Sequence, residues 1–251
     1  MTIQTLNELS EEPFASIICY PRVIKTELKK RLSELRKLKI TGVEFSGDKQ
    51  ILNLRVLGKG CVGIVVIGLR GRRRIALKIR RTDADRKNMV REAGLLRKAN
   101  EVGVAPKLIG VCKDFLVMQL ISGDLLPDWV EKKVSREDTC RVLKDILEQC
   151  WRLDIIGLDH GELSHAPKHI IVNKEQKPVI VDFETASIER RPSNVTSACQ
   201  FLFLNKSTPQ ISMKLGLEDK KSIIDALRCY KRNRSRTNFI GVLESCGLYA
   251  T

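Results

Sequence analysis

Gly58-Lys59-Gly60-Cys61-Val62-Gly63-Ile64-Val65 is a GxGxxGxV run, followed beyond a basic turn at Gly71 by Ile75-Ala76-Leu77-Lys78-Ile79. Three glycines at this spacing let a backbone approach phosphates closely and aim its amides at them. The flanking residues, 51–66 and 74–79, are rich in Val, Ile and Leu and predict a β-hairpin closed by GLRGRR. A dinucleotide-binding fold needs its glycines between a strand and a helix, whereas these lie between two strands. A Walker-type loop needs its Lys followed by Ser or Thr, and Lys59 is followed by Gly60. On their own the glycines fit a phosphate loop or a glycine-rich hairpin.

Strand alternation in the second half of the hairpin sends Ile75, Leu77 and Ile79 one way and Ala76 and Lys78 the other. Such a lysine is either simply exposed or, beside a glycine loop, placed to neutralise phosphate. A helix is predicted over 83–100, with Met89, Ala93, Leu96 and Ala99 on one face. It carries Glu92, either an ordinary surface carboxylate or a partner able to hold the Lys78 ammonium. Two further strands are expected at 107–112 and 115–119. Ile121, Ser122 and Gly123 then break the pattern, which places a hinge at 119–123.

Beyond the hinge, a long helix is predicted over 135–156, capped by Ser135 with Asp138 three residues on. Short strands at 170–172 and 178–181 flank the turn NKEQK, and helices are expected at 193–204, 217–231 and 237–246. The chain's three histidines, His160, His165 and His169, fall within LDHGELSHAPKHIIV. With Glu162 they are competent zinc ligands, but their spacing across a Pro-containing loop fits no common zinc pattern. Val179-Ile180-Val181-Asp182-Phe183-Glu184 ends a predicted strand on an acidic residue.

GKGCVGIV, IALK and REAGLL resemble, in order and spacing, the glycine loop, strand lysine and helix glutamate of the protein kinase superfamily. HGELSHAPKHIIV is similar to HGDLxxxNIxV, the catalytic loop of its atypical branch, which includes RIO kinases, aminoglycoside phosphotransferases and lipopolysaccharide core kinases. VIVDFE is similar to the DFG segment. The matches run from about Leu57 to Phe183, half of the chain. The resemblance implies an α+β, bilobal, protein-kinase-like fold. Its N-lobe would hold a small antiparallel sheet with one regulatory helix, its C-lobe would be reduced and mostly helical, and putting the two together gives three segments: 1–50, a helical extension packing on the N-lobe; 51–120, the N-lobe; 121–251, the C-lobe.

The same resemblance implies roles. Gly58, Lys59, Gly60, Cys61, Val62 and Gly63 would cover the ATP phosphates, with Val65 and Ala76 also at nucleotide-binding positions. Lys78, held by Glu92, would contact the α- and β-phosphates. Met118 stands at the gatekeeper position, and the backbones of Gln119 and Ile121 would meet adenine. Glu162 occupies the catalytic carboxylate position, with Asp159 as a fallback base. Asp182 would bind Mg2+ or Mn2+ with His169, which stands where an Asn is expected and, as a nitrogen donor, either gives up the metal or favours manganese. Glu184 replaces the DFG glycine, no APE motif follows, and 69 residues succeed Asp182, fewer than a peptide-docking platform occupies.

The remaining properties bound the function. The 251 residues, 43% hydrophobic and 30% charged, supply a real core. No apolar run approaches the roughly 20 residues of a membrane span, and MTIQTLNELSEE lacks a secretory pattern, so a cytoplasmic protein without membrane partners is expected. Eight cysteines without a CxxC pair read as reduced, mostly buried thiols. The net charge of +15 draws polyanions, and basic clusters lie at 25–39, 70–81 and 228–236. The first is one face of a helix predicted over 21–39, with Ile24, Leu28, Leu32, Leu35 and Leu38 on the other. Three activities remain open: an ATP-dependent kinase, a serine/threonine protein kinase by resemblance; a nucleotide-binding pseudokinase or ATPase acting on RNA or a ribonucleoprotein; and a small-molecule kinase.

Overall fold

The computed structural model describes residues 3–132, 134–205, 209–216 and 219–249, residue 212 by its backbone alone. The chain divides into two compact units, one of residues 1–97 and 107–120 and the other of residues 98–106 and 121–251.

The first unit is built on an antiparallel sheet. Its elements are β1 (Ile3–Thr5), α1 (Phe14–Ile18), α2 (Lys25–Lys37), β2 (Gly42–Glu44), β3 (Lys49–Ile51), β4 (Leu54–Val56), β5 (Gly58–Lys59), β6 (Gly63–Arg70), β7 (Arg73–Arg80), α3 (Val90–Glu101), β8 (Leu108–Val111) and β9 (Phe115–Gln119). The sheet order is β1-β2-β6-β7-β9-β8, with β5 also on β6. The hairpin β6–β7 is the one expected, with Arg70 opposite Arg73 and Gly71 in the left-handed conformation at φ +60°. Its predicted first strand was too long, because β3 and β4 form a separate two-stranded hairpin. The helix predicted from residue 83 begins only at Val90, where Asn88 Oδ1 accepts the Val90 amide.

Residues 3–50 contribute more than a helical extension. They supply β1 and β2 to the sheet, and Leu9, Ile17, Ile18, Leu28, Leu32 and Leu35 join Ile64, Val66, Leu77 and Phe115 in one core. The predicted helix over 21–39 is shorter, and its Ile24 is exposed. Arg31, from the same helix, is fully buried. Its guanidinium donates to the carbonyls of Ile18 and Arg80 and to Asp114, which Arg80 also grips at 2.6 Å. Buried charge survives here because each guanidinium nitrogen meets an acceptor, Nε reaching Glu27 at 3.1 Å.

The second unit holds β10 (Gly123–Leu125), α4 (Leu126–Glu131), α5 (Arg136–Ile155), β11 (Ile170–Asn173), β12 (Pro178–Ile180), α6 (Asn194–Cys199), α7 (Pro209–Leu215), α8 (Lys220–Arg232) and α9 (Arg236–Ser245). The strands form a three-stranded antiparallel sheet. On α5, Val142, Leu143, Ile146, Leu147, Cys150 and Leu153 are buried at helical spacing. The Ser135 hydroxyl accepts the Asp138 amide, as its capping pattern predicts. At the other end Gly157, at φ +74°, lets the Leu158 amide reach the Leu153 carbonyl. This Schellman-type stop turns the chain towards Asp159 and His160. The predicted helix over 193–204 is α6 continued by a wider π-turn over 200–204, and residues 217 and 218 of the helix predicted over 217–231 lie outside the described residues.

Mixed α+β architecture with an antiparallel sheet and a helical partner is the kinase-like bilobal fold implied by the sequence. All eight cysteines are free thiols, but only Cys19, Cys150, Cys199 and Cys246 are buried, fewer than expected, and Cys61 and Cys229 are exposed. Among the described residues no helix is long and apolar enough to cross a membrane.

Candidate functional site

In the first unit the glycines form a strand-turn-strand loop. Gly58 and Lys59 pair with Val65 and Ile64, and the Gly60 amide donates to the Gly63 carbonyl at 2.8 Å. Gly63 is required by close approach: a Cβ there would sit 2.9 Å from the Ile79 carbonyl oxygen and 3.1 Å from Lys78 Cγ. The loop is therefore packed directly on the lysine strand. Lys78 stands opposite Val65 on β6 and Leu116 on β9. Its Nζ donates to Glu92 Oε1 at 2.8 Å, and both side chains are only 4% exposed. The exposed-lysine and surface-glutamate readings are thus excluded. Ala76 is buried on the same strand and pairs with the half-buried Met118, while Gln119 is exposed beside Ile75. Ile121, expected beside Gln119 as an adenine contact, belongs to the second unit.

Two contacts at the loop were not anticipated. The Lys59 ammonium lies 5.0 Å from the centroid of the Tyr20 ring and donates to its hydroxyl at 3.1 Å. Arg81 lies 5.3 Å from the same ring and donates to the Gly60 carbonyl at 3.2 Å. No local signal at Tyr20 marks it in the sequence, since the contact joins residues 39 positions apart.

In the second unit, Glu162, His169 and Asp182 come together. Val181 is held on both sides, its amide donating to the His169 carbonyl at 2.9 Å and its carbonyl lying 3.1 Å from His160 Nε2. That contact makes His160 the neutral tautomer with its proton on Nε2. Complete burial pushes its pKa down to about 4, with neighbouring His169 adding to the effect. The next residue, Asp182, has φ +68°, a left-handed conformation that Asp tolerates better than most residues. His169 is buried, its Nε2 3.0 Å from Glu162 Oε2 and 4.0 Å from Asp182 Oδ2. The short approach to Glu162 lacks hydrogen-bond alignment, leaving both ring nitrogens without a formal partner. Desolvation lowers the His169 pKa, opposed by the charges of Asp182 and Glu162.

A neutral imidazole between two partly exposed carboxylates is chemically compatible with a divalent cation that also takes ligands from phosphates. Among the described residues no group of three or more His, Cys, Asp or Glu forms a preformed metal centre. His165 is exposed whereas His160 and His169 are buried, against a three-histidine zinc site. The Asp159 carboxylate accepts from Arg190 Nε at 3.0 Å and from the Ser193 amide at 3.1 Å.

The backbone at His160 is anchored from below. The His160 amide donates to Asn194 Oδ1 at 2.8 Å, and Asn194 Nδ2 donates to Asp154, which also accepts from the Tyr230 hydroxyl. Burial raises the Asp154 pKa despite these donors.

Comparison with known proteins gives the family. Residues 70–197 match the model of the RIO domain, with Lys78, Glu92, Glu162, His169 and Asp182 inside the matched span and Gly58 to Gly63 before it. The chain is also 30% identical over 118 residues to an uncharacterized protein of Methanocaldococcus jannaschii, covering 46% of this chain and 99% of that protein. A match over half of the chain means that the protein belongs to the RIO domain family, a family of atypical protein kinases and ATPases.

Proposed function

We propose that the protein is an ATP-dependent phosphotransferase of atypical kinase type that passes the γ-phosphate to a serine or threonine hydroxyl of a protein substrate. The observation that carries this reading is the buried Lys78–Glu92 pair. Enclosing two opposite charges adds little stability over apolar residues of the same size, so stability alone does not account for it. An ammonium fixed under a glycine loop suits the α- and β-phosphates of ATP. The loop from Gly58 to Gly63 would lie along those phosphates, with Val65, Ala76 and Met118 lining the base and the backbones of Gln119 and Ile121 meeting adenine.

Phosphoryl transfer depends mostly on positioning and charge neutralisation. Glu162 would orient the acceptor hydroxyl and take its proton as the oxygen–phosphorus bond forms and the β–γ bridging bond breaks, releasing ADP. Asp182 and His169 would hold Mg2+ or Mn2+, whose charge would offset that of the phosphates. The test is incubation with γ-labelled ATP and either cation, reading autophosphorylation, free phosphate and transfer to cell extract. Lys78→Ala and Asp182→Ala should each lower turnover at least ~100-fold. A fully active double variant defeats the assignment.

A second reading, a nucleotide-binding pseudokinase or ATPase acting on RNA or a ribonucleoprotein, is favoured by the 3.0 Å approach of Glu162 to His169, which would occupy the base. It is also favoured by the exposed cations Arg72, Arg73 and Arg74 on the hairpin tip. Nucleotide affinity without labelled product, or with free phosphate alone, selects it. Transfer to a metabolite and not to protein would instead select a small-molecule kinase.

A further inference from the structure

The glycine loop is held from both sides of the start of the matched span, by Arg81 within it and by Tyr20 upstream of it. The family match begins at residue 70, whereas the loop and Tyr20 precede it. Tyr20 is half-buried, and its ring carries two cations, the Lys59 ammonium at 5.0 Å and the Arg81 guanidinium at 5.3 Å from the centroid. Both cations are tied to the loop. Lys59 is part of it and donates to the Tyr20 hydroxyl. Arg81 donates from Nη1 to the Gly60 carbonyl and from its backbone amide to the Val62 carbonyl at 2.8 Å, and its Nη2 is braced by Asp83 at 2.7 Å.

Tyr20 is fixed in turn. Its carbonyl accepts from the Thr82 amide at 2.8 Å and from the Thr82 hydroxyl at 3.1 Å. Two residues earlier, the Ile18 carbonyl accepts from buried Arg31. The N-terminal segment is thus bound to the end of β7, and one aromatic ring transmits that anchorage to the loop. A glycine loop has many accessible conformations, and a strap that selects one lowers the entropy lost when phosphates are bound.

We propose that Tyr20 is a positioning residue for the nucleotide: by holding Lys59 and Arg81 on its ring it preorganises the Gly58 to Gly63 loop for the phosphates of ATP. This role rests on the reading of the protein as an ATP-binding kinase. Tyr20 acts through the loop, so its removal weakens nucleotide binding more than it slows the chemical step. Two cation–π contacts and one hydrogen bond at a half-buried ring correspond to roughly tenfold in affinity.

The experiment uses the full chain and its Tyr20→Ala, Tyr20→Phe and Arg81→Gln variants. ATP dissociation constants and the KM-against-kcat split are measured, and amide hydrogen exchange over 58–63 is followed without nucleotide. Tyr20→Ala should raise the ATP dissociation constant and KM about tenfold, change kcat less than threefold, and speed exchange in the loop. Tyr20→Phe keeps the ring and should restore most of the affinity. Arg81 reaches the loop from just beyond β7, so Arg81→Gln should reproduce the weakening even where Tyr20→Ala fails to fold. Wild-type affinity and unchanged loop exchange in Tyr20→Ala overturn the proposal, as does an equal loss of kcat that Tyr20→Phe does not rescue. Absence of ATP binding by the wild-type chain overturns the kinase reading and this role with it, whereas faster loop exchange in Tyr20→Ala would still register the strap.

Discussion

Asp182, proposed above to hold the divalent cation, carries a backbone cost. A non-glycine residue at φ +68° gives up roughly 1–2 kcal/mol relative to a relaxed conformation, less for Asp than for most. Glycine would remove that strain, while alanine would keep it and lose the carboxylate as well. Asp182→Gly should therefore be more stable than Asp182→Ala by about 1 kcal/mol, with both inactive in phosphate transfer. Urea denaturation beside the labelled-ATP assay checks this, and equal midpoints for the two variants would show that the conformation carries no strain. Lys78 and Glu92 illustrate the same principle with charges, since a pair at 2.8 Å and nearly without solvent is retained where apolar residues would serve stability as well.

At the scale of elements, α2 and α8 each reach into the core with one polar side chain. Arg31 on α2 satisfies two buried carbonyls and shares Asp114 with Arg80. Arg31→Leu leaves those carbonyls without their donor and should cost about 3–5 kcal/mol in chemical denaturation. A loss below 1 kcal/mol would mean that water or neighbouring groups replace it. Tyr230 on α8 donates to Asp154 at 2.9 Å, and burial with the adjacent carboxylate pushes its pKa far above the usual 10. The folded state therefore binds this proton more tightly than the unfolded chain does. Its contribution is complete below pH 10 and is lost as the pH rises beyond, where the unfolded phenol ionises and the native one does not. Wild type should show an extra alkaline loss of stability that Tyr230→Phe lacks, although Tyr230→Phe starts about 1–2 kcal/mol lower at pH 8. Parallel stability-against-pH curves above pH 10 would contradict the assignment.

Across the whole molecule the dominant quantity is charge. The +15 excess is carried on exposed side chains in both units, among them Lys25, Lys29, Arg72, Arg73, Arg228 and Arg232. If these cations engage RNA, as the second functional reading holds, each neutralised phosphate releases a counterion. Affinity for an unstructured RNA should then fall at least ~10-fold between about 50 and 200 mM salt, in a filter-binding titration. A flat response would remove that reading.

The β6–β7 hairpin, the α5 cap and stop, and the order of glycine loop, Lys78, Glu92, HGE and DFE were legible in the sequence, because each rests on local spacing, turn chemistry or periodicity. The depth of the Lys78–Glu92 pair, the burial of Arg31, the engagement of Asp159 by Arg190, and the burial of His169 at 3.0 Å from Glu162 were not. Nor was the hold of Tyr20 on Lys59 and Arg81. These features arise from contacts between residues distant along the chain, where packing decides which polar groups lose water and which partner replaces it. Local composition determined the elements and their chemistry; tertiary structure decided which of those groups meet within each unit and which of them lose water.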